Sequence, residues 1–360
     1  MTPTESQPNL VVVQAASDAM PIPQEPSPRA DAAGPGPESV RLAVEPASIA
    51  LGRHAASPAQ IPWLGWKSVL RRTFIEMLTD RISLVAAGCA FYGTLALFPA
   101  ISMLISIYGM VFDPVTVEPQ LEVLRGLLPG PAYTLIEERI HLLVSRGPGS
   151  LGLSLLFSTA ITLWSSATGV KSILTALNIA YEEKERRSIL QFQVVSFTIT
   201  LIGIFGTVVG LGLLVGLPAA LTWLGFASHQ KALIRLASFA LLVVALMTGL
   251  SLLYRYGPCR QRPRWHWVTP GSLVATVLWV AVSALFSVYV GQFASYDAMY
   301  GPLGTVVGIM MWFWVTVYAV LLGAELNAEL ELQTVVDSTD GPPLPLGRRG
   351  AYVADHVAED

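Results

Sequence analysis

Charged side chains are scarce in this 360-residue sequence. Asp, Glu, Lys and Arg make up 13% of it, whereas hydrophobic residues make up 53%. Soluble domains carry about 25% charged residues, so this composition excludes an ordinary soluble domain. The charges lie between long uncharged runs, which is typical of an integral membrane protein. The net charge of -3 says little about partners, because basic and acidic residues are distributed unevenly among the loops between the apolar runs.

Cysteine and histidine are too few and too widely spaced to build a disulfide framework or a metal site. The two cysteines, Cys89 in an apolar run and Cys259 in a basic loop, are expected to be unpaired thiols. None of the five histidines lies at metal-ligand spacing from a Cys, an Asp or a second His. A phosphate-binding loop and a dinucleotide fingerprint are also missing. We therefore expect no enzyme, no catalytic residue, no metal, no cofactor and no nucleic-acid partner.

Six apolar runs approach or exceed the length of about 20 residues that a helix needs to cross a bilayer. The last two lie within 265–332 and are joined by a short segment rich in Tyr and Gly. The sequence predicts an all-α polytopic membrane protein with six transmembrane helices. The expected spans are about 82–112, 149–170, 191–216, 236–254, 268–293 and 303–324.

The chain outside the spans differs in composition from one part to the next. Residues 1–62 hold 11 of the 25 prolines, which predicts a disordered tail, and 333–360 is expected to be a second one. The membrane domain is therefore expected to cover 63–332. Within it, residues 63–80 alternate apolar and basic groups at helical spacing, which fits either a helix in the membrane interface or one packed on the bundle. Two short amphipathic helices are expected in the polar insert 113–148.

Lysine and arginine close to the spans predict the orientation, because these residues accumulate on the cytoplasmic side. Fourteen lie on the side that carries both termini and five on the other. Both termini are therefore expected in the cytoplasm, and the 113–148 insert on the outer, periplasmic side. The fourteen are Lys67, Arg71, Arg72, Arg81, Lys171, Lys184, Arg186, Arg187, Arg255, Arg260, Arg262, Arg264, Arg348 and Arg349, and the five are Arg125, Arg139, Arg146, Lys231 and Arg235.

Glu325 is the sharpest single feature, because it ends an apolar run with no basic residue beside it. Ionisable groups at membrane depth are costly and usually face a cavity or a partner. One interpretation places Glu325 and Asn327 at the cytoplasmic mouth of a pathway, or pairs Glu325 with Lys171. The other lets the helix emerge into solvent there, with Lys171 reaching the headgroups.

Further candidate pathway or gate positions lie where a helix bends or a loop mixes aromatic and flexible residues. Tyr92 precedes Pro99, whose ring removes one helical hydrogen bond, and Asn178 lies where the second span continues beyond the bilayer. Aromatic residues at such positions also form interfacial belts. The remaining candidates, in the loop between the last two spans, are Tyr296, Tyr300 and Gly301.

Several stretches together resemble a known family. They are AAGCAFYGTLALFP (86–99), LNIAYEEKERRS (177–188), LYRYGP (253–258), WHWVTPGSLVATVLW (265–279), FASYDAMYGPLG (293–304) and LLGAELNAEL (321–330). Over roughly 66–332 the chain resembles the YihY/virulence factor BrkB family of bacterial inner-membrane proteins. The resemblance implies six spans with both ends in the cytoplasm. Members have also carried the name ribonuclease BN, and one is associated with resistance to serum killing.

Two functions remain open from the sequence. The first is a transporter or exporter of a small or amphipathic solute, favoured by six spans, the Pro99 bend and Glu325. The second is a structural or accessory envelope protein that packs on other membrane proteins, or on a second copy, through small-residue faces. A nuclease would need converging carboxylates or metal ligands on a wet surface, and the sequence shows none. The expected location is the bacterial inner membrane, with the lipid bilayer as the principal partner.

Overall fold

A computed structural model describes residues 49–111, 152–212, 228–293 and 302–358, and its regular elements in these ranges are helical. A short 3₁₀ turn, Pro58–Gln60, precedes the first helix. The α-helices are α1 Trp63–Thr79, α2 Ile82–Val111, α3 Gly152–Ala180, α4 Ile189–Leu211, α5 Ser228–Tyr256, α6 Trp265–Phe293, α7 Pro302–Leu332 and α8 Tyr352–Asp355. The predicted all-α class is confirmed. The predicted helices of the 113–148 insert lie outside the described residues.

Six of the helices, α2 to α7, coincide with the six predicted apolar runs. Four of them, α4 to α7, contain segments long and apolar enough to cross a bilayer, and α2 contributes a shorter apolar segment, Ile82–Leu97. A multi-pass membrane protein is therefore confirmed, while the number of six crossings stays a prediction. Helices α3, α5, α6 and α7 extend beyond the predicted spans at one end or both, because polar residues outside the hydrocarbon layer are able to continue a helix. The second span thus continues to Ala180, as the sequence suggested.

Local sequence explains several helix boundaries. Pro62 directly precedes α1, and its fixed backbone angle suits a helix start. Ser188 and Gln191 form a reciprocal capping box at the start of α4. Between α3 and α4, the charged segment 181–188 forms a turn, with Glu182 in the left-handed region at φ 53°.

Helix α7 is the element on which the described part of the chain is assembled. It packs against α1, α2, α3, α6 and α8, whereas α5 packs mainly on α6, and α4 mainly on α3. Buried residues of α7 such as Leu321 and Ala324 join one apolar cluster with Ile82 of α2 and Leu177 of α3. The outer helices expose large apolar side chains, among them Phe205 and Leu285, as expected of a lipid-facing surface.

Helices α6 and α7 approach so closely that only glycine fits at the crossing. A Cβ atom on Gly271 would collide with the backbone oxygen of Gly323, and one on Gly323 would lie 2.5 Å from the oxygen of Gly271. The Tyr254 hydroxyl, from α5, donates a 2.7 Å hydrogen bond to the carbonyl of Val320 beside this contact. Small residues allow this kind of backbone approach between membrane helices.

Both predicted disordered tails are wrong in the parts that the structure describes. Residues 49–62 and 333–358 fold against the C-terminal end of α7. The Val335 N–H donates to the carbonyl of Arg53 (2.8 Å), and the Ala358 N–H donates to that of Leu332 (2.9 Å). The composition of the two predicted tails indicates disorder, but contacts with α7 and with each other order these parts of them. The polar end is the name used below for the region formed by these two segments, α1, the α1–α2 loop, residues 181–188, the α5–α6 loop and the last two turns of α7.

The glycine contact yields a stability prediction. We expect Gly271→Ala to lower the melting temperature in detergent, because overpacking a tight contact costs about 1–3 kcal/mol. Gly308→Ala is the matched control, since it lies on α7 with nothing within 4 Å of its added Cβ. Equal melting temperatures for the two variants would contradict the close helix crossing.

Candidate polar site at the end of α7

The last two turns of α7 carry four polar side chains, and all four are buried. Glu325, Asn327, Glu329 and Glu331 are 2%, 0%, 3% and 1% exposed. The interpretation in which this helix emerges into solvent, with solvated carboxylates, is therefore wrong. It fails because α1 and residues 333–358 cover these turns of α7, which hydropathy along the chain does not reveal. Burying carboxylates is costly unless each one is paired or neutralised.

Glu331 is neutralised by Arg260 of the α5–α6 loop. Their side chains are fully buried and joined at 2.6 Å. Ser338 donates a second hydrogen bond to Glu331 at 2.7 Å. The Arg260 guanidinium also lies over the Tyr181 ring at 4.3 Å, a cation–π contact that compensates part of its lost hydration.

Glu329 is neutralised by Arg72 of α1. The Arg72 Nε lies 2.6 Å from the carboxylate of Glu329. Its guanidinium also donates to the side chains of Gln333 (2.6 Å) and Ser68 (2.8 Å). In turn, the Gln333 amide donates to the carbonyl of Leu51 (2.7 Å). This network ties α1 and both terminal segments to α7.

Asn327 compensates a break in the hydrogen bonding of α6. Pro270 lies inside that helix, and its ring interrupts the regular ladder. The Gly271 N–H donates to the Asn327 side-chain oxygen (2.8 Å), and the Asn327 amide donates to the carbonyl of Val268 (3.2 Å). A single side chain of α7 thus replaces backbone bonds on both sides of the proline.

Glu325 differs from its neighbours, because one of its carboxyl oxygens is buried without a hydrogen-bond partner. The charged groups that act on it most strongly are acidic: Asp80, Glu329, Glu76 and Glu182. The Tyr181 hydroxyl is also buried and unpartnered, and Tyr181 lies close enough to interact electrostatically with Glu325. The polar end therefore contains one buried acid that no base neutralises.

Burial and neighbouring charges also change the pKa of acidic groups close to the surface of the polar end. Burial raises the pKa of Asp80, at the end of α1, to about 6, and the charges of Glu76 and Glu182 add to the rise. Glu185 behaves in the opposite way, because hydrogen bonds from Arg187 lower its pKa to about 2. The α1–α2 loop thus presents a carboxyl that titrates in the weakly acidic range.

The C-terminal segment closes the polar end through one arginine and one acid. Arg349 donates to the carbonyls of Val335 (2.7 Å), Leu344 (3.0 Å) and Ala354 (2.7 Å). Asp337 accepts from Leu344 N–H at 2.7 Å. Although burial alone would raise the pKa of Asp337, its hydrogen bonds lower it.

The structure brings together Glu325 and Asn327 among the predicted site residues, and separates Lys171 from them. The Lys171 ammonium lies over the Trp164 ring at 5.0 Å, so the suggested Lys171–Glu325 pair does not form. Asn178 has a connecting role, since its oxygen accepts from Cys259 N–H (2.8 Å) and its amide donates to Glu185 (3.0 Å).

The other predicted positions do not join this site. Tyr92 is exposed on α2 and packs edge-on against Phe91, with ring centroids 5.5 Å apart. Helix α2 continues through Pro99, whose side chain is not among the described ones. The loop candidates Tyr296, Tyr300 and Gly301 lie outside the described residues.

Sequence reasoning missed the bases and acids that complete the polar end. Arg72 and Arg260 were counted only as markers of orientation, and Asp80 and Tyr181 were not singled out. One local signal was available: three carboxylates on the last two turns of an apolar helix require either water or bases, and arginines occur in neighbouring loops. In the described ranges, no group of three or more His, Cys, Asp or Glu side chains is arranged to hold a metal ion.

Comparison with known proteins places the chain in a family. The profile of virulence factor BrkB matches residues 73–345, which include all of α2 to α7 and most of the polar end. The chain belongs to the virulence factor BrkB family. The resemblance noted from the sequence motifs is thereby confirmed.

Curated relatives in this family carry few functional descriptions. YfkH of Bacillus subtilis (strain 168), described as a ribonuclease-like protein, is 29% identical over 268 residues, which are 72% of this chain and 95% of YfkH. A UPF0761 membrane protein of Laribacter hongkongensis (strain HLHK9) is 28% identical over 261 residues, 70% of this chain but 58% of that protein. A third relative, UPF0761 membrane protein IL2447 of Idiomarina loihiensis (strain ATCC BAA-735 / DSM 15497 / L2-TR), is 26% identical over 74% of this chain and 94% of its own length. No solved structure matches.

The buried ion pair of Glu331 and Arg260 generates a prediction. Arg260→Met leaves Glu331 buried without a base, and we expect a loss of roughly 3–5 kcal/mol of stability. The double variant Arg260→Met/Glu331→Leu should recover most of the loss, because no charge remains buried. Arg187→Gln is the control, since its pair with Glu185 is partly exposed and should contribute less than about 1 kcal/mol. Thermal unfolding in detergent measures all three, and a double variant no more stable than Arg260→Met would contradict the pairing.

Asp80 generates a prediction about pH. Its folded-state pKa of about 6 exceeds the ordinary value of 3.8, so between these values the folded protein binds more protons than the unfolded chain. Its contribution to stability therefore decreases as pH rises from about 4 to about 6. Asp80→Asn should remove this part of the pH dependence of the melting temperature. An unchanged pH profile in that variant would show that Asp80 is not responsible.

Proposed function

We propose that this BrkB-family protein is a transporter or exporter of a small or amphipathic solute in the bacterial inner membrane. The observation that carries the proposal is Glu325, a carboxyl on a candidate membrane-spanning helix that is 2% exposed, with one oxygen unpartnered. A protein that serves only as a scaffold gains nothing from an unneutralised acid at this depth. Replacing it by an apolar residue would stabilise such a protein, because an unpaired buried carboxyl is costly.

Helix α6, which packs against α7, supports the proposal because a proline within it provides a point at which the helix can bend. Helix α6 contains Pro270, and the Asn327 side chain of α7 bonds backbone groups on both sides of this proline. In many secondary transporters, irregular points in helices next to polar side chains form the binding sites. The Gly271–Gly323 contact adds a crossing without bulky side chains, about which two helices are able to rotate.

The apolar helices contain few charged residues, which indicates the class of solute that the interior of the helix bundle would accept. Helices α2 and α6 contain no Asp, Glu, Lys or Arg. A strongly charged solute would find no compensating groups along them. A neutral or amphipathic solute is the better match, with Glu325 and Asn327 as the polar contacts at one end.

The orientation proposed with this function places the polar end in the cytoplasm. Arg72, Arg186, Arg260 and Arg349 all belong to the polar end, and the excess of Lys and Arg on this side is the argument. In this arrangement both termini are cytoplasmic, and Glu325 lies at the cytoplasmic mouth of the pathway.

One observation favours the alternative, a structural or accessory envelope protein. Helix α4 presents Gly203 and Gly206 with nothing within 4 Å of an added Cβ, among exposed apolar residues such as Phe205. Such a face suits close packing of another membrane helix, from a second copy or from another protein. This role is compatible with transport, whereas a dry interior is not.

A nuclease function is not part of the proposal, although YfkH is described as ribonuclease-like. Two of the three carboxylates on α7 are neutralised by arginines rather than free to bind metal. All three are buried instead of facing a wet surface on which RNA would bind.

Cysteine accessibility tests the transport proposal. With Cys89 and Cys259 replaced by Ser, single cysteines are placed at Ser283 on α6 and Thr316 on α7, whose hydroxyls are buried and unpartnered. We expect both to react with a membrane-impermeant thiol reagent in membrane vesicles, because a pathway admits water. The control is Leu285→Cys, two residues from Ser283, with an exposed apolar side chain that should face lipid and stay unreactive.

Each pattern of labelling has a definite meaning. Reaction at Ser283→Cys or Thr316→Cys without reaction at Leu285→Cys supports an aqueous pathway between the helices. If neither interior cysteine reacts from either side, the interior is dry. The transport proposal then fails, and the structural role replaces it.

A further inference from the structure

We propose that Glu325 is a proton-binding site, that it exchanges its proton with water through the acidic groups around Asp80, and that this proton is the ion used in the transport cycle. The last part rests on the proposed function, whereas the proton site itself stands on the geometry of the polar end. The observations are the burial of Glu325, its unpartnered oxygen, and the acidic side chains that act on it from four segments of the polar end.

The neutral form of Glu325 is the one that the structure accommodates. An isolated carboxylate transferred to an apolar environment takes up a proton rather than keep its charge. Both arginines near the end of α7 are already engaged, Arg72 by Glu329 at 2.6 Å and Arg260 by Glu331 at 2.6 Å. The charge of each of these arginines is therefore balanced by an acid other than Glu325.

The charges that act most strongly on Glu325 disfavour its ionised form. They are Glu76 from α1, Asp80 from the α1–α2 loop, Glu182 from the segment after α3, and Glu329 from α7 itself. Tyr181 adds a buried phenol, which burial keeps in its neutral form, since its pKa is raised. The apolar helices α2 and α6 contribute no Asp, Glu, Lys or Arg, and His266 of α6 is exposed and contacts the carbonyl of Ala56.

A route for the proton is present in the same groups. Glu76 and Asp80 are partly exposed and Glu182 is exposed, so they connect the buried carboxyl with solvent. The pKa of Asp80, raised to about 6 by burial and its acidic neighbours, allows it to pass protons near neutral pH. In each exchange, hydronium gives one proton to the Glu325 carboxylate and becomes water. The reverse step returns that proton to water, so no other reactant is required.

Infrared difference spectroscopy of the purified full-length protein tests the site directly. A protonated carboxyl has a carbonyl-stretch band that a carboxylate lacks. Spectra are recorded well above the pH of about 6 at which Asp80 titrates. We expect the wild-type protein to show this band and Glu325→Gln to lose it completely.

Glu185→Gln is the matched control, the same substitution at a carboxylate of the polar end that is paired with Arg187, and it leaves the Arg72–Glu329 and Arg260–Glu331 pairs in place. It should keep the full band. Asp80→Asn should keep the band but slow its loss after a jump to alkaline pH, because the relay to water is interrupted. If Glu325→Gln does not fold, Glu325→Met gives the same readout. A wild-type protein without the band, or a Glu325 variant that retains it, would overturn the proton site.

The spectroscopic result and the accessibility result separate the two proposals. A band that depends on Glu325, combined with unreactive interior cysteines, keeps the proton site and rejects transport, and with it the role of the proton in a transport cycle. Reactive interior cysteines without such a band keep the pathway and reject the proton site.

Discussion

Burial of three carboxylates on one helix end is the constraint on which the arrangement of the polar end depends. Glu325, Glu329 and Glu331 belong to a helix whose preceding turns are almost entirely apolar. Once this end of the helix is covered, each acid needs a base, a proton or water. Arg72 and Arg260 satisfy two of these needs, from α1 and from the α5–α6 loop. The positions of both elements follow from the requirement to bring an arginine to α7.

Residues 49–62 and 333–358 cover the end of α7. They are held in place by hydrogen bonds to the polar groups that they shield from solvent. The Gln333 side chain donates a hydrogen bond to the Leu51 carbonyl and accepts one from Arg72. Arg349 donates hydrogen bonds to three carbonyl groups of the C-terminal segment. Buried networks of this kind are specific, because every missing partner leaves an unsatisfied polar group. Buried polar atoms of Tyr181, Arg260 and Glu325 lack a partner. Of the three carboxylates on α7, Glu325 is the one that neither Arg72 nor Arg260 neutralises.

Asn327 and the two glycines link this polar end to the apolar part of the bundle. Asn327 holds the backbone of α6 at its proline, and Gly271 and Gly323 bring the two helix axes together directly beside it. Glu325 lies two residues from Asn327 on α7. A change in its charge would therefore act on the end of α7 that carries the contact between Asn327 and α6. The neighbouring bend in α6 is the element best placed to respond.

The sequence by itself determined the membrane class, the six long helices and the family, and it singled out Glu325 and Asn327 as candidate site residues. These follow from local quantities: runs of hydropathy, helix-forming residues and short motifs act where they stand in the chain. Only the tertiary structure decided that α7 ends in a buried site, that Lys171 lies over Trp164, and that residues 49–62 and 333–358 are folded. The partners of Glu329 and Glu331 lie 257 and 71 residues away in the chain. Such pairings depend on how distant segments pack, and neither composition nor periodicity along the chain contains that information.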